Sequence, residues 1–119
     1  MRSNYVTKQK RLAIYKRDQF SCLFCGVGIK RDVSILSLDH LQARSKNGNH
    51  SSAKNLVCSC RECNNAKANK TLSQFAREIG LHPKQLKRRI KKQTNTPINI
   101  KAARKAINGM GYRLAVATF

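Results

Sequence analysis

Tryptophan is absent from the 119 residues, aromatic residues make up only 6%, and there are two prolines. With hydrophobic residues at 40%, little apolar area is available for a core, and a chain of this size then needs a second source of stability. Acidic residues are scarce as well: five Asp and Glu against 25 Lys and Arg leave a net charge of +20. A field of one sign excludes cationic partners and favours a polyanion. No apolar run approaches the roughly 18–20 residues of a membrane-spanning helix, and no lipidation motif occurs, so among polyanions nucleic acid is favoured over a membrane surface. The opening MRSNYVTKQKRL lacks the apolar stretch of a signal peptide, which points to the cytoplasm.

Five cysteines in a chain without an export signal suit a reducing compartment, where thiols stay free to bind metal. Four of them form two Cys-x-x-Cys pairs, Cys22 with Cys25 and Cys60 with Cys63. Each pair can wrap a backbone turn around one side of a tetrahedral Zn²⁺, so that together they close a four-coordinate structural site. Two disulfides, or four buried unliganded thiols, are the competing readings; the compartment argues against the first and the repeated spacing against the second. Cys58 is the odd cysteine. It could replace Cys60 as a partner of Cys63, but reads better as a buried strand residue.

Local pattern predicts a short amphipathic helix over 7–18 capped by Thr7, a tight metal-binding turn over 20–28, and a strand over 34–41. An exposed loop over 43–54 with an Asn47-Gly48 turn follows, then a second strand over 55–60 and a short helix over 61–70. From Thr71 the apolar spacing of Leu72, Phe75, Ala76, Ile79, Leu86 and Ile90 predicts two helices around Gly80. Residues 94–100 read as a Pro-containing connector, and a last helix should run up to Asn108-Gly109. The division expected is a metal-stapled domain over 1–71 and a basic helical extension over 72–119.

The run LDHLQARSKNGNHSSAKNLVCSCRECNNAKANK, residues 38–70, with its lead-in YKRDQFSCLFCG, resembles the HNH endonuclease family. The matching features are Asp39-His40 ending a first strand, Asn55-Leu56 opening a second, and Cys63-Asn64 opening a helix. The resemblance implies an α+β fold with a small ββα-metal (His-Me finger) core, a four-cysteine zinc knuckle and flanking helices. It further implies a metal-dependent endonuclease hydrolysing DNA phosphodiester bonds to 5′-phosphate and 3′-hydroxyl ends. His40 is then the general base, since an imidazole near neutral pKa can take a proton from water where a carboxylate is too weak. Asp39 and Asn64 would hold one catalytic divalent ion, and an oxygen-only donor set suits Mg²⁺ or Mn²⁺. Ala68 stands where some members place a second metal-binding histidine, so the ion should be loosely held and water-rich. The resemblance also implies that Asn55 orients the loop that carries His40, through side-chain hydrogen bonds to backbone, and does no chemistry itself. Ala43 replaces a frequent family proline, and Asn47-Gly48 a frequent glycine pair, which puts the geometry of that loop in doubt.

Arg44, Lys46, Lys67 and Lys70 are placed to meet phosphates beside the ion, and loop residue His50 is a further candidate for substrate contact. The extension holds 11 of the 25 basic residues and a single acidic one, Glu78, so it should supply much of the non-specific affinity for DNA. Residues 72–90 also resemble a helix-turn-helix, with Ala76, Gly80 and Leu86 at its structural positions and Lys84, Gln85, Lys87, Arg88 and Arg89 towards a groove. Arg89 stands where such motifs bury an apolar residue, and Ile90 is the compensating candidate. The charge and the helix-turn-helix pattern also fit a non-catalytic zinc-ribbon DNA-binding protein. The HNH resemblance, to a family with many compact stand-alone members in phage and mobile-element genomes, further suggests a phage packaging or recombination accessory in the host cytoplasm.

Overall fold

The computed structural model describes residues 6–28, 36–41 and 52–119. Arg44, Lys46, His50 and the Asn47-Gly48 turn lie outside the described residues.

Helix α1 spans Lys8–Arg17, and Thr7 caps it, its Oγ1 accepting from Lys10 N at 3.2 Å. The helix stops because Gln19 and Phe20 take the left-handed region (φ 60° and 52°), turning the chain into the cysteine-bearing loop. A single bridge between Ser21 and Gly28, with Gly26 at φ 83°, closes that loop on itself. Strand β1 (Leu36–His40) pairs antiparallel with β2 (Leu56–Cys60), setting Asp39 opposite Val57 and His40 opposite Leu56. Asn55 does not enter β2; it ends a 3-10 turn, Ala53–Asn55. All five residues of β2 are buried, which is why they read LVCSC without polar alternation.

Helix α2 (Arg61–Lys67) begins directly from β2, with Cys60 as its cap. It ends earlier than the composition of 61–70 predicts, because Ala68 has φ 45°, a conformation no α-helix continues through. Helices α3 (Leu72–Glu78) and α4 (Pro83–Thr94) follow, both opened by capping boxes, around Gly80 at φ 80°. The last helical segment departs from the sequence-based boundary. Helix α5 spans Ile100–Met110, running through Asn108-Gly109, and the break falls at Gly111 (φ 84°), after which α6 covers Tyr112–Thr118. Glycine within a helix costs only about 1 kcal/mol, so Gly109 is tolerated while Gly111 supplies the turn.

One buried cluster joins Leu12 and Tyr15 of α1, Phe20 and Phe24 of the cysteine loop, Val57 and Cys58 of β2, and Phe75, Leu86, Ile90, Ala103 and Val116 of the later helices. Phe75 meets Phe24 edge-on at 5.3 Å, so the helices beyond residue 72 share their core with the residues before it. Beneath this apolar layer sits an ion pair with both side chains fully buried, Arg17 Nε to Asp18 Oδ1 at 2.7 Å. Arg17 also donates to Ala53 O (2.8 Å) and Leu56 O (2.7 Å), and Asp18 Oδ2 accepts from Cys58 N (2.8 Å). The end of α1 is thereby fastened to the turn and strand that carry Asn55 and the second half of the site.

Candidate metal-binding and catalytic site

The cysteine loop and the β2–α2 junction bring Cys22, Cys25, Cys60 and Cys63 together, with their four Sγ atoms within 4.8 Å of one another. Cys25 Sγ and Cys60 Sγ lie 3.9 Å apart. Sulfurs about 2.3 Å from a central zinc ion at tetrahedral angles would sit roughly 3.8 Å apart, so this separation fits a shared ion. The first sulfur of each pair accepts a backbone N–H from the second, Cys25 N to Cys22 Sγ at 3.5 Å and Cys63 N to Cys60 Sγ at 3.4 Å. Burial, and then the Cys22 sulfur beside it, push the Cys63 thiol well above its ordinary pKa, a penalty that a cation among the sulfurs removes. Cys58 stays out of the cluster: it is fully buried in β2, where burial and then the Asp18 carboxylate raise its thiol strongly.

The second site lies where β1 ends against α2. A cleft of about 470 Å³ is lined by Leu38, Asp39, His40, Leu41, Asn64, Lys67, Ala68, Asn69 and Lys70. Strand alternation sends Ser37 and Asp39 towards α2, and α2 answers with Asn64 and Lys67, three residues apart on one helix face. Asn64 Nδ2 donates to Ser37 Oγ (3.1 Å) and Leu38 O (3.3 Å), which pins the helix to the strand and leaves the amide oxygen as the atom available to a cation. Asp39 is buried, and burial pushes its carboxyl above the usual carboxylate range even though the Lys67 ammonium pulls it down. Its Oδ2 has Lys67 Nζ at 3.0 Å, yet no hydrogen bond of good angle reaches that oxygen. The contact is one of charge more than of direction. His40 is half-buried at the strand end and lines the same cleft.

Asp39, His40, Asn64, Lys67 and Lys70 therefore converge, whereas Asn55 stands behind them. Asn55 O accepts Leu41 N at 2.9 Å, a main-chain tie at the point where the chain leaves His40. Lys67, read from sequence as a phosphate contact, has its ammonium against Asp39 and is only 4% exposed. Lys70, at the edge of the cleft, has its ammonium engaged with Ala66 O (2.8 Å) and Glu78 (2.9 Å). Sequence reasoning missed both the Lys67–Asp39 pair and the Arg17–Asp18 clamp. A lysine three residues after Asn64 and an Arg-Asp pair just before a Cys-x-x-Cys were the available signals.

On α4, Leu86 and Ile90 are buried and Lys84, Lys87, Arg88 and Lys91 are exposed along the opposite stripe. Arg89 is exposed as well, but its guanidinium is engaged: Nη1 donates to Leu23 O at 3.0 Å and ties α4 to the cysteine loop. Ile90 fills the apolar position. A larger hollow of about 600 Å³ runs beside that tie, bordered by Asp18, Cys25, Arg89 and Gln93, but Asp18 is already paired with Arg17 there. Among the described residues no helix is long and apolar enough to cross a membrane.

Residues 22–70, which contain both the four cysteines and the cleft, match the family model described as HNH endonuclease. No curated protein and no solved structure matches the chain.

Proposed function

We propose that the protein, whose residues 22–70 match the HNH endonuclease family model, is a metal-dependent nuclease that hydrolyses DNA phosphodiester bonds in the cleft between β1 and α2. The observation that carries this reading is the convergence of Asp39, His40 and Asn64 on one open cleft. The donor set fits a hard divalent ion: a buried carboxylate oxygen without a well-angled hydrogen bond and an amide oxygen, with no sulfur or further imidazole among the described lining residues. When bound there, Mg²⁺ or Mn²⁺ supplies positive charge that stabilises the crowded phosphorus and the departing 3′ oxygen.

His40 takes a proton from a water in the cleft, the water oxygen forms its bond to phosphorus, the bond from phosphorus to the 3′ oxygen breaks, and that oxygen takes up a proton from solvent water, leaving 5′-phosphate and 3′-hydroxyl ends. Asn55 holds the chain leaving His40, so it positions the base without touching substrate. The four thiolates hold a structural Zn²⁺, which keeps β2 and α2 in register with the cysteine loop. A reducing compartment, the cytoplasm, keeps those thiols available.

Lys70 meets the DNA backbone from the cleft rim, and Lys87 and Arg88 from the exposed stripe of α4; Arg44 and Lys46 are candidate phosphate contacts on their sequence position alone. Chemistry thus belongs to residues 1–71, and retention of DNA largely to 72–119. The test is plasmid cleavage by the wild-type protein, Asp39→Ala and Asn64→Ala in Mg²⁺, in Mn²⁺ and in EDTA. The wild type should nick or cut only with the divalent ion, and both variants should lose most activity. Metal-independent cutting, or variants as active as the wild type, would refute the assignment.

A further inference from the structure

The pair Lys67–Asp39 has no place in the reaction just described, yet it sits at its centre. Lys67 Nζ lies 3.0 Å from Asp39 Oδ2, with the two side chains 5% and 8% exposed. Building on the proposed metal site, we propose that Lys67 is a resident counter-cation for Asp39: it neutralises the buried carboxylate in the metal-free protein, yields that oxygen when a divalent ion binds, and carries its charge to the DNA phosphate in the same cleft.

Three features carry this. A buried carboxylate needs a cation beside it, and among the described residues Lys67 makes the ion-pair contact, with the adjacent His40 adding a smaller effect of the same sign. The contact is held by charge more than by direction, since at 3.0 Å the ammonium is not well aligned on Oδ2, so a second cation of higher charge can compete for that oxygen. An ammonium and a divalent ion on one carboxylate oxygen repel each other, so Lys67 has to leave Oδ2 for that oxygen to serve as a ligand. Its four-carbon stem is flexible, it stands at the last position of α2, and the adjoining cleft offers about 470 Å³ to move into. Asn64, three residues earlier, is fastened to β1 and stays. One helix face therefore presents a fixed ligand and a movable charge. The ion binds weakly until DNA is there to receive the displaced ammonium, which couples metal loading to substrate.

Mn²⁺ titration of the zinc-loaded full chain without DNA, followed by the electron paramagnetic resonance signal of free Mn²⁺, tests this with wild type, Lys67→Met, Lys67→Arg and Asp39→Asn. Lys67→Met should bind Mn²⁺ about tenfold more tightly or better, because the carboxylate loses its ion-pair partner, while Lys67→Arg should stay near the wild type. Asp39→Asn should lose the site. If Asp39→Asn loses Mn²⁺ but Lys67→Met binds no more tightly than wild type, the counter-cation role is wrong and the metal site stands. If Asp39→Asn binds like the wild type, the metal site itself is wrong, and this inference falls with it. A second measurement needs no variant. The Lys67 ammonium should give a protected ¹⁵N–¹H resonance in the metal-free protein that broadens or shifts on addition of Mg²⁺, and a resonance unchanged at saturating Mg²⁺ would overturn the exchange.

Discussion

Replacing Arg17 by methionine is the sharpest test of how the site is held. The guanidinium makes four bonds in a place without solvent: two to Asp18 (2.7 and 3.0 Å) and one each to the carbonyls of Ala53 and Leu56. Methionine fills similar space but leaves the Asp18 carboxylate uncompensated, and breaking a buried pair from one side costs about 3–5 kcal/mol. For a chain of 119 residues, an unfolding entropy of about 2.1 cal/mol/K per residue makes 1 kcal/mol worth roughly 4 °C, so the expected fall in Tm is roughly 12–20 °C. Calorimetry on zinc-saturated protein measures it. Arg17→Met should be combined with Asp18→Leu in a double-mutant cycle. Apolar replacement of both charges often restores stability, but here Ala53 O, Leu56 O and Cys58 N would all lose partners, so the double variant should recover only part of the loss. A single variant within about 4 °C of wild type, or a double variant fully restored, would refute the view that this clamp fastens α1 to the strand behind the cleft.

The sulfur site and the basic extension give two further predictions. Cys60→Ser should reduce bound zinc, measured by plasma mass spectrometry, from near one ion per chain to almost none, and should remove stability on the order of 10 kcal/mol; full zinc retention would contradict a four-sulfur site. Lys87→Ala with Arg88→Ala should lower the slope of log affinity against log salt by about 1.8, as for two lost phosphate contacts, with Tm little changed. An unchanged slope would take the α4 stripe off the DNA.

The four-cysteine cluster and the strand-end pair Asp39-His40 were legible because their information is local: spacing sets the turn, and adjacency sets the strand position. The Thr7 cap was legible for the same reason. The Arg17 clamp was not, since its partners Ala53 and Leu56 lie far along the chain and only the folded packing brings their carbonyls to one guanidinium. Lys67 illustrates a different limit. Charge alone marks a lysine beside candidate metal ligands as a phosphate contact, and only helix phase and strand alternation together reveal that it faces Asp39. The choice between Gly109 and Gly111 as the end of α5 was equally hidden, because either glycine permits the break and the tertiary packing of α6 decides which one takes it.

Chemical rescue tests the role of His40 most directly. Supercoiled plasmid should be incubated with Mg²⁺ or Mn²⁺ and the wild type, His40→Ala, or His40→Ala supplemented with imidazole, with zinc content and Tm confirmed equal. If His40 is the base that activates water, His40→Ala loses roughly 100-fold or more in rate, and imidazole in solution restores part of it, increasingly so as the pH approaches neutrality from below. Cleavage by His40→Ala at the wild-type rate would contradict the account.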